Sequence, residues 1–212
     1  FKNSGHGPLR NCKGIFWINE DVKMRERIKD IILESIQVKE ELLRTKIREI
    51  IEIVNLIIDT LKKNGKVMLF GNGGSASDSQ HIAAELVGKF KKDRAGLAAI
   101  ALTTNTSVLT SLANDYGYDI VFSRQIEALG QKNDIAIGIS TSGKAKNVNC
   151  GIKQAKKMGI KTVVLTGGDG GELTKLADIS LIVPSSVTAR IQEAHITIGH
   201  IICELVEEAL NP

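Results

Sequence analysis

The chain has 212 residues and a mass of 22.9 kDa, with 42% hydrophobic residues, 25% charged residues and a formal net charge of +4. This length and balance fit one sizeable α/β domain and exclude a disordered chain, a collagen-like repeat, a coiled-coil rod and a disulfide-packed miniprotein. No apolar run approaches the ~20 residues of a membrane-spanning helix, and neither the 4% aromatic content nor any basic cluster supports nucleic-acid binding. Because the three cysteines are odd in number and widely spaced, they indicate a reducing compartment, and we expect a cytoplasmic protein that binds neither membrane nor nucleic acid.

The first 23 residues differ from the rest of the chain. They contain several glycines, a proline and the only tryptophan, Trp17, and their apolar residues show no period. They also lack the apolar core and the cleavage site of a signal peptide. We therefore predict that residues 1–23 are an N-terminal extension, or residues added for expression, and that the domain spans residues 24–212 from a natural start at Met24.

Residues 24–63 have the spacing of amphipathic helices. Isoleucine, leucine and valine recur at three- and four-residue intervals from Ile28 to Leu61, and charged residues fill most other places. Asn64 and Gly65, which tolerate the left-handed conformation, are predicted to end this helical segment. So much branched apolar surface ahead of the sheet suggests burial against another subunit, although packing on the sheet of the same chain stays open.

After Gly65, short apolar runs alternate with helical stretches. Uninterrupted apolar runs joined by helices are typical of parallel strands that are covered on both faces. We therefore predict a doubly wound, three-layer α/β/α sandwich with a five-stranded parallel sheet, preceded by long N-terminal helices. The predicted strands are Val67–Phe70, Leu97–Leu102, Ile135–Ile139, Thr162–Leu165 and Ile179–Val183, and the predicted helices are 77–90, 106–113, 119–129, 145–158, 172–177 and 188–209.

The loops that follow the strands carry most of the functional information, because ligands of such sheets bind at the carboxyl ends of the strands. The loop Gly71–Ser75 lets backbone amides approach an anion, but it is neither a Walker loop nor a dinucleotide fingerprint, so ligand binding and tight-turn packing stay equally open. Ser140, Thr141 and Ser142 place three consecutive hydroxyls ahead of a helix, which favours binding of a phosphate monoester. The third loop, residues 166–171, is predicted to be a structural turn.

Two predicted helices carry side chains that bind metals or transfer protons in other proteins. His81 and Glu85 lie four residues apart and so share a helix face, as a simple surface pair would also do. The last helix carries Gln192 and His200 two turns apart, with His195 between them. These nitrogen and oxygen donors are compatible with Zn²⁺, but spacing alone does not separate a metal site from satisfied core or surface groups.

Five stretches of the chain, taken together and in order, resemble the SIS (sugar isomerase) domain family and, within it, the phosphoheptose isomerases. The likeness runs from about Met24 to Leu210, whereas residues 1–23 have no counterpart. The fold that this resemblance implies is flavodoxin-like. The matching stretches are 71–85 (GNGGSASDSQHIAAE), 114–117 (NDYG), 122–125 (FSRQ), 138–143 (GISTSG) and 189–200 (ARIQEAHITIGH).

The resemblance implies an aldose–ketose isomerase that converts sedoheptulose 7-phosphate into D-glycero-D-manno-heptose 7-phosphate through an enediol, for bacterial heptose and lipopolysaccharide biosynthesis. It also implies a homotetramer whose N-terminal helices form a central bundle and whose active sites combine loops of neighbouring subunits. Glu85 would be the base for the carbon-bound proton, with His200 as its acid/base partner, and one Zn²⁺ per subunit would be held by His81, Glu85, Gln192 and His200. The implied substrate contacts are Asn72, Gly73, Gly74, Ser75, Asn114, Asp115, Ser140, Thr141, Ser142 and Gln192.

Three positions depart from the family pattern. Ala145 stands where a serine is common, which removes one expected phosphate hydroxyl, and the neighbouring Lys144 is a candidate replacement. Ala189 and Lys89 stand where some relatives have aspartate and arginine. These changes concern phosphate geometry and substrate preference more than the type of reaction.

The same resemblance leaves one alternative of a different kind. The DnaA initiator-associating protein has the same scaffold and a similar glycine-serine loop, but it is a tetrameric binding module that regulates replication. That family lacks the distal histidine of the last helix. Because this chain has His200 together with Glu85, the isomerase is the favoured function.

Overall fold

The structure comprises two compact units. The computed structural model describes residues 12–211, and the side chains of residues 20–211. The chain divides after Gln37, and the second unit begins at Val38. All five strands and all the predicted site residues belong to this second unit. Of the predicted N-terminal extension, residues 1–11 lie outside the described residues.

Helix α1 (Cys12–Thr45) begins well before Met24, where the apolar pattern places the start of the helical segment. A helix continues without an apolar period because each added residue gains a hydrogen bond, and no proline interrupts this stretch. Helix α2 (Ile47–Lys62) follows directly. At the break between the two helices, the Thr45 hydroxyl donates to the carbonyl of Glu41, a bond of the kind that bends helices.

Helix α2 is followed by a tight connection to the sheet. Asn64 has a φ of 57°, in the left-handed region that the sequence predicts for it. Gly65 passes so close to the carbonyl of Asn133 that a Cβ there would lie well inside 3.0 Å. The chain therefore enters the first strand through a turn that a bulkier residue would obstruct.

The five predicted strands form one parallel sheet, which confirms the predicted architecture. The strand order is β2-β1-β3-β4-β5, the flavodoxin-like order, and every neighbouring pair is parallel. Strand β2 is shorter than its apolar run, since only Ala99–Ala101 pair with β1 at this edge of the sheet. The strands are β1 (Val67–Gly71), β2 (Ala99–Ala101), β3 (Ile135–Ser140), β4 (Lys161–Gly167) and β5 (Ile179–Val183).

Helices cover both faces of the sheet. They are α3 (Gly74–Val87), α4 (Thr106–Tyr116), α5 (Val121–Leu129), α6 (Lys146–Lys157) and α7 (Thr188–Leu210), with short 3₁₀ turns at Tyr118–Ile120 and Leu173–Lys175. Side chains alternate along β1, so Val67 and Leu69 pack in the core with α2, α3 and α7, while Met68 and Phe70 pack with α5 and α6. The three-layer sandwich is confirmed. Within residues 12–211, no helix is both long and apolar enough to cross a membrane.

Candidate active site

The loops that follow β1, β3 and β4 lie side by side at one edge of the sheet. Because the strands are parallel and in register, Gly71 lies opposite Ile139, and Ser140 lies opposite Thr166. Three strands therefore deliver their following loops to a common edge. This edge is where the fold class predicts a ligand.

Glycines shape the first of these loops. Gly73, the residue before α3, has a φ of 53°, a conformation that glycine adopts without steric cost. A Cβ at Gly74 would collide with the side-chain amide of Gln192, which packs directly against it. Ser75 is buried, and its N–H donates to the carbonyl of Asn72 over 3.0 Å. The loop thus brings the first turn of α3 against α7, so that two predicted substrate contacts, Gly74 and Gln192, are adjacent.

Two asparagine amides connect the glycine loop to the hydroxyl loop after β3. Asn72 Nδ2 donates to Asn147 Oδ1 over 2.9 Å, and Asn147 Nδ2 donates to Asn72 Oδ1 over 2.8 Å. Asn147 is buried in the first turn of α6. Asn147 is not among the site residues predicted from the sequence. The available signal was an asparagine at the start of the helix that follows the three hydroxyls, a place where asparagine bonds to neighbouring loops.

Two of the three predicted phosphate-binding hydroxyls line a cavity of about 280 Å³. Thr141 and Ser142 line it, whereas Ser140 is buried as the last residue of β3. Lys144 and Asp169 also line this cavity, with Nζ and Oδ2 3.2 Å apart and both side chains largely exposed. Asp169 belongs to the loop that was predicted to be a structural turn. Hydroxyls beside an exposed lysine suit a phosphate group.

His81, Glu85 and His200 form a cluster between α3 and α7. His81 Nε2 lies 3.3 Å from Glu85 Oε1 and 2.9 Å from His200 Nε2, although the two histidines are 119 residues apart in the chain. Their ligand atoms all lie within 4.8 Å of one another. His81 is half exposed, so the cluster is open to a substrate. Two ring nitrogens this close cannot both carry a proton, so one donates to the other or both lone pairs face a cation.

Gln192, the fourth predicted metal ligand, lies farther back along α7. It precedes His200 by two turns, about 12 Å of helix rise. Its amide packs against Gly74, which precedes His81 on α3 by a similar length. Helices α3 and α7 therefore run side by side, with Gly74 beside Gln192 and His81 beside His200. Metal ligation by Gln192 stays a prediction.

Asn114 and Asp115, two further predicted substrate contacts, lie near the C-terminal end of α4. Both side chains are exposed, and Asn114 Nδ2 donates to Asp115 Oδ1 over 2.8 Å. This bond is local to the helix end. A role of the two residues in substrate binding stays a prediction.

Two buried titratable side chains lie on the helices that carry the cluster. Asp78 lies one turn before His81. Burial raises the pKa of its carboxyl group to about 6, although the interaction with His81 acts to lower it, and Asp78 Oδ2 has no hydrogen-bond partner. His195 is fully buried on α7, and burial lowers its pKa to about 4 even though its Nε2 donates to the carbonyl of Thr166 over 3.2 Å. Burial thus keeps His195 neutral down to about pH 4, whereas Asp78 becomes neutral only below about pH 6.

We expect His195 to make the protein less stable in mild acid. Between the unfolded pKa of 6.5 and the folded pKa of about 4, the unfolded chain binds a proton at His195 that the folded chain does not bind. The free energy of unfolding therefore falls as the pH decreases from 6.5 to 4, by at most about 3 kcal/mol. Urea unfolding of the wild type and of His195→Gln between pH 4 and 7.5 measures this, because glutamine still donates to Thr166 but does not titrate.

The difference between the two unfolding curves isolates His195 from the other titrating groups. Asp78 has the opposite pH dependence, since its raised folded pKa makes the folded state bind the additional proton between pH 6 and 3.8. Asp78, His81 and His200 are present in both proteins, so their contributions cancel. Parallel pH dependences for wild type and variant would show that His195 titrates normally in the folded protein.

Comparison with known proteins gives consistent matches over most of the chain. The family model described as SIS domain matches residues 32–167. The chain is 53% identical over 185 residues to the phosphoheptose isomerase of Aquifex aeolicus, covering 87% of this chain and 97% of the relative. It is 51% identical over 189 residues to the phosphoheptose isomerase of Sulfurimonas denitrificans, covering 88% and 97%. Among solved structures, the phosphoheptose isomerase of Neisseria gonorrhoeae superposes with a TM-score of 0.83 at 41% identity, over 87% of this chain and 99% of that chain.

Proposed function

The chain belongs to the SIS-domain family and is related over 87% of its length to a phosphoheptose isomerase. From this premise we propose that it converts sedoheptulose 7-phosphate into D-glycero-D-manno-heptose 7-phosphate. It is an isomerase, and the proposed reaction is of the aldose–ketose type. The observation that carries the proposed reaction is the cluster of Glu85, His81 and His200. The product would serve heptose and lipopolysaccharide biosynthesis in the bacterial cytoplasm.

The cluster supplies the two kinds of group that the reaction needs. An aldose–ketose conversion requires a base beside the carbon atoms and an acid for the oxygen atoms. Starting from the ketose, Glu85 takes a proton from C1 while the C2 oxygen gains one, which gives the enediol. The proton then returns to C2 while the C1 hydroxyl loses its own. His200 supplies and removes the oxygen-bound protons.

The phosphate of the substrate would be held in the cavity lined by Thr141 and Ser142. Their hydroxyls donate to phosphate oxygens, and Lys144 adds a positive charge where Ala145 provides no hydroxyl. The start of α7 also lines this cavity through Thr188 and Ile191, and the next residue, Gln192, packs against Gly74 of the glycine loop. Asn114, Asp115 and Gln192 are proposed to contact the sugar hydroxyls. Anchoring the phosphate would hold C1 and C2 at the proton-transferring groups, which converts binding energy into orientation.

The donor set of the cluster fits Zn²⁺. Two imidazole nitrogens and one carboxylate, with ligand atoms within 4.8 Å of one another, match the three-ligand pattern of catalytic zinc sites that keep one position open. We propose His81, Glu85 and His200 as ligands of one Zn²⁺ per subunit, joined by Gln192. When bound, the ion would polarise the substrate oxygens as a Lewis acid. Metal binding and proton transfer would then compete for the same side-chain atoms of Glu85 and His200, so the two roles of each residue are coupled.

We expect chelator-treated protein to bind one Zn²⁺ per chain. His81→Ala is expected to weaken that binding by more than about 100-fold, which exceeds the loss caused by removing a residue that only hydrogen-bonds to a metal ligand. Competition with a chromophoric chelator measures the affinity without any activity assay. His195→Gln is the matched control, because His195 lies on α7 but is buried and paired with Thr166. Equal affinities for wild type and His81→Ala would contradict the proposed zinc site.

An apolar groove on the second unit supports the proposed homotetramer. It has a volume of about 320 Å³ and lies between the α1–α2 region and α7. Leu43 and Ile51 on one wall, and Ile201 and Leu205 on the other, are between 38% and 68% exposed. Apolar surface of this kind is typically covered in an assembly. Light scattering is expected to give four times the chain mass of 22.9 kDa, and a monomeric mass would contradict the tetramer.

The proposed reaction is tested directly with the purified protein. Sedoheptulose 7-phosphate is supplied together with Zn²⁺, and the aldose product is followed with time. Turnover supports the isomerase. No turnover, together with tight binding to DnaA, would instead favour the non-catalytic relative on the same scaffold.

A further inference from the structure

We propose that the buried ion pair of Arg94 and Glu207 positions Glu85 and His200 for the isomerisation, by fixing the end of α3 and the 88–94 loop onto α7. The side chains of both residues are only 2% exposed, and Arg94 Nε donates to Glu207 Oε1 over 3.0 Å. Neither residue is a catalytic residue, because neither belongs to the cluster of reacting groups. The inference rests on the proposed function for its kinetic test only.

Glu207 fixes the 88–94 loop through its backbone. Its Oε1 accepts from the N–H of Phe90 over 2.8 Å, and its Oε2 accepts from the N–H groups of Lys91 and Lys92 over 2.7 and 2.8 Å. With Arg94 Nε as the fourth donor, both carboxylate oxygens are fully used. Burial works to raise the pKa of Glu207, but these donors outweigh it and lower the pKa to about 2, so the carboxylate stays charged.

Arg94 closes the C-terminal end of α3. Its Nη2 donates to the carbonyl of Glu85 over 3.0 Å, and its Nη1 donates to the carbonyls of Leu86 and Gly88 over 2.9 and 3.1 Å. The carbonyls of Glu85 and Leu86 belong to the last turn of α3, where no backbone N–H of the helix is left to pair with them, and Gly88 directly follows that turn. The guanidinium therefore bonds the backbone of Glu85 itself while its Nε is tied to Glu207 on α7.

The same ion pair places a ring against His200. Phe90, whose N–H is held by Glu207, has its ring centroid 5.7 Å from that of His200, and the His81 ring centroid lies 5.1 Å from that of His200. The His200 ring thus contacts both Phe90 and His81. Glu207 follows His200 by seven residues, close to two helical turns, so both project from the same face of α7. One ion pair therefore fixes the backbone of Glu85 and the ring orientation of His200.

The chain offers a matched control at the opposite edge of the sheet. The side chain of Asp134, also 2% exposed, accepts from the N–H groups of Lys66 and Gln131 over 2.9 and 2.7 Å and pairs with the Lys66 ammonium. It precedes β3, so it lies at the amino ends of the strands, away from the ligand loops. Asp134→Asn and Glu207→Gln therefore remove the same kind of buried charge, with and without contact to the site.

The test compares Glu207→Gln with Asp134→Asn in the full chain, at a temperature where both remain folded. We expect both variants to have a lower melting temperature than the wild type. Only Glu207→Gln is expected to lower kcat, by about 10- to 100-fold with KM changed less than about threefold, and to weaken zinc affinity about tenfold. Phe90→Leu keeps the ion pair and the apolar bulk, and is expected to lower kcat with little change in melting temperature. It keeps the inference testable if Glu207→Gln does not fold.

The outcomes separate the positioning role from the proposed reaction. If Glu207→Gln and Asp134→Asn both lose stability and neither changes kcat or zinc affinity, the ion pair is structural and the inference is overturned. If Glu207→Gln does not fold, an unchanged kcat in Phe90→Leu overturns the inference as well. If the wild type does not isomerise the heptose phosphate, the proposed function fails. The zinc affinities then decide the inference alone, with a selective loss in Glu207→Gln supporting it and equal affinities overturning it.

Discussion

Replacing Glu85 with glutamine is expected to lower kcat for sedoheptulose 7-phosphate by about 10³-fold, within the range that general acid–base groups contribute. Glutamine has the same length and can still approach His81, which lies 3.3 Å from the carboxylate, but it cannot accept the proton from C1. The backbone bond from Arg94 to the Glu85 carbonyl is kept, so the end of α3 stays in place. Stopped assays of product formation with wild type and variant measure the effect.

The control for this prediction is another carboxylate outside the site. Glu127 on α5 is 55% exposed and paired with Arg124, so Glu127→Gln is expected to leave kcat unchanged. Running the reaction in D₂O adds a second readout, because proton abstraction by the enzyme introduces deuterium at C2 of the aldose. Activity of Glu85→Gln within about tenfold of wild type, below the usual contribution of such groups, would assign the base elsewhere. A larger loss in His200→Gln would make His200 the base.

The metal and proton roles of Glu85 are distinguished by adding zinc. If the variant loses activity because a ligand is lost, excess Zn²⁺ restores part of kcat. If it loses activity because the base is lost, excess Zn²⁺ changes occupancy but not kcat. This comparison matters because His81, Glu85 and His200 lie within 4.8 Å of one another and share one small site.

The layers of the fold were readable from the sequence because local pattern and global burial agree. The apolar runs at Val67–Phe70 and Ile135–Ile139 have no polar residue to expose, which is what a strand covered on both faces requires. The start of α1 was not readable, because a helix extends through residues without apolar periodicity when nothing interrupts it. Periodicity reports which face is buried, not where a helix begins.

The site was readable only in part, because its members meet through packing. The spacing of His81 and Glu85 places both on one face of α3, and local spacing is enough for that. Their meeting with His200 depends on α3 and α7 packing side by side, with Gly74 against Gln192. No residue spacing encodes that contact, and only the family resemblance linked the four residues beforehand.

The Arg94–Glu207 pair shows the limit of sequence reasoning most clearly. In the sequence, the charged stretch from Lys89 to Arg94 has the composition of a solvated loop, and Glu207 stands in a row of acidic residues. In the structure, both side chains are buried. Glu207 accepts from backbone N–H groups of a loop more than 100 residues earlier, and Arg94 donates to carbonyls at the nearby end of α3. A charge that is fully paired inside the fold is indistinguishable in composition from one that faces water.

Gly143→Ala is expected to disrupt the phosphate loop, the loop after β3 that carries Thr141 and Ser142, far more than a glycine-to-alanine change at another left-handed position disturbs its own surroundings. Gly143 has a φ of 63°, and a Cβ there would lie well inside 3.0 Å of the carbonyl of Gly170 in the neighbouring turn. The left-handed conformation costs alanine about 1–2 kcal/mol, and the collision with backbone adds ~1–3 kcal/mol as the two loops are forced apart. Because Thr141 and Ser142 line the cavity beside this contact, kcat/KM for the sugar phosphate is expected to fall by about 10- to 100-fold.

Gly159→Ala separates the collision from the strain. Gly159 has a φ of 72° between α6 and β4, at the amino edge of the sheet, and a Cβ there would meet no atom within 4 Å. This variant is expected to lose only the ~1–2 kcal/mol of backbone strain and to keep full activity. Denaturant unfolding and kcat/KM of both variants decide the question. If Gly143→Ala matches Gly159→Ala in both measurements, the turn 166–171 can shift to make room for the added Cβ without affecting activity, and it does not support the phosphate loop. A selective loss in Gly143→Ala means that this turn, although predicted to be purely structural, sets the geometry in which the substrate phosphate is held.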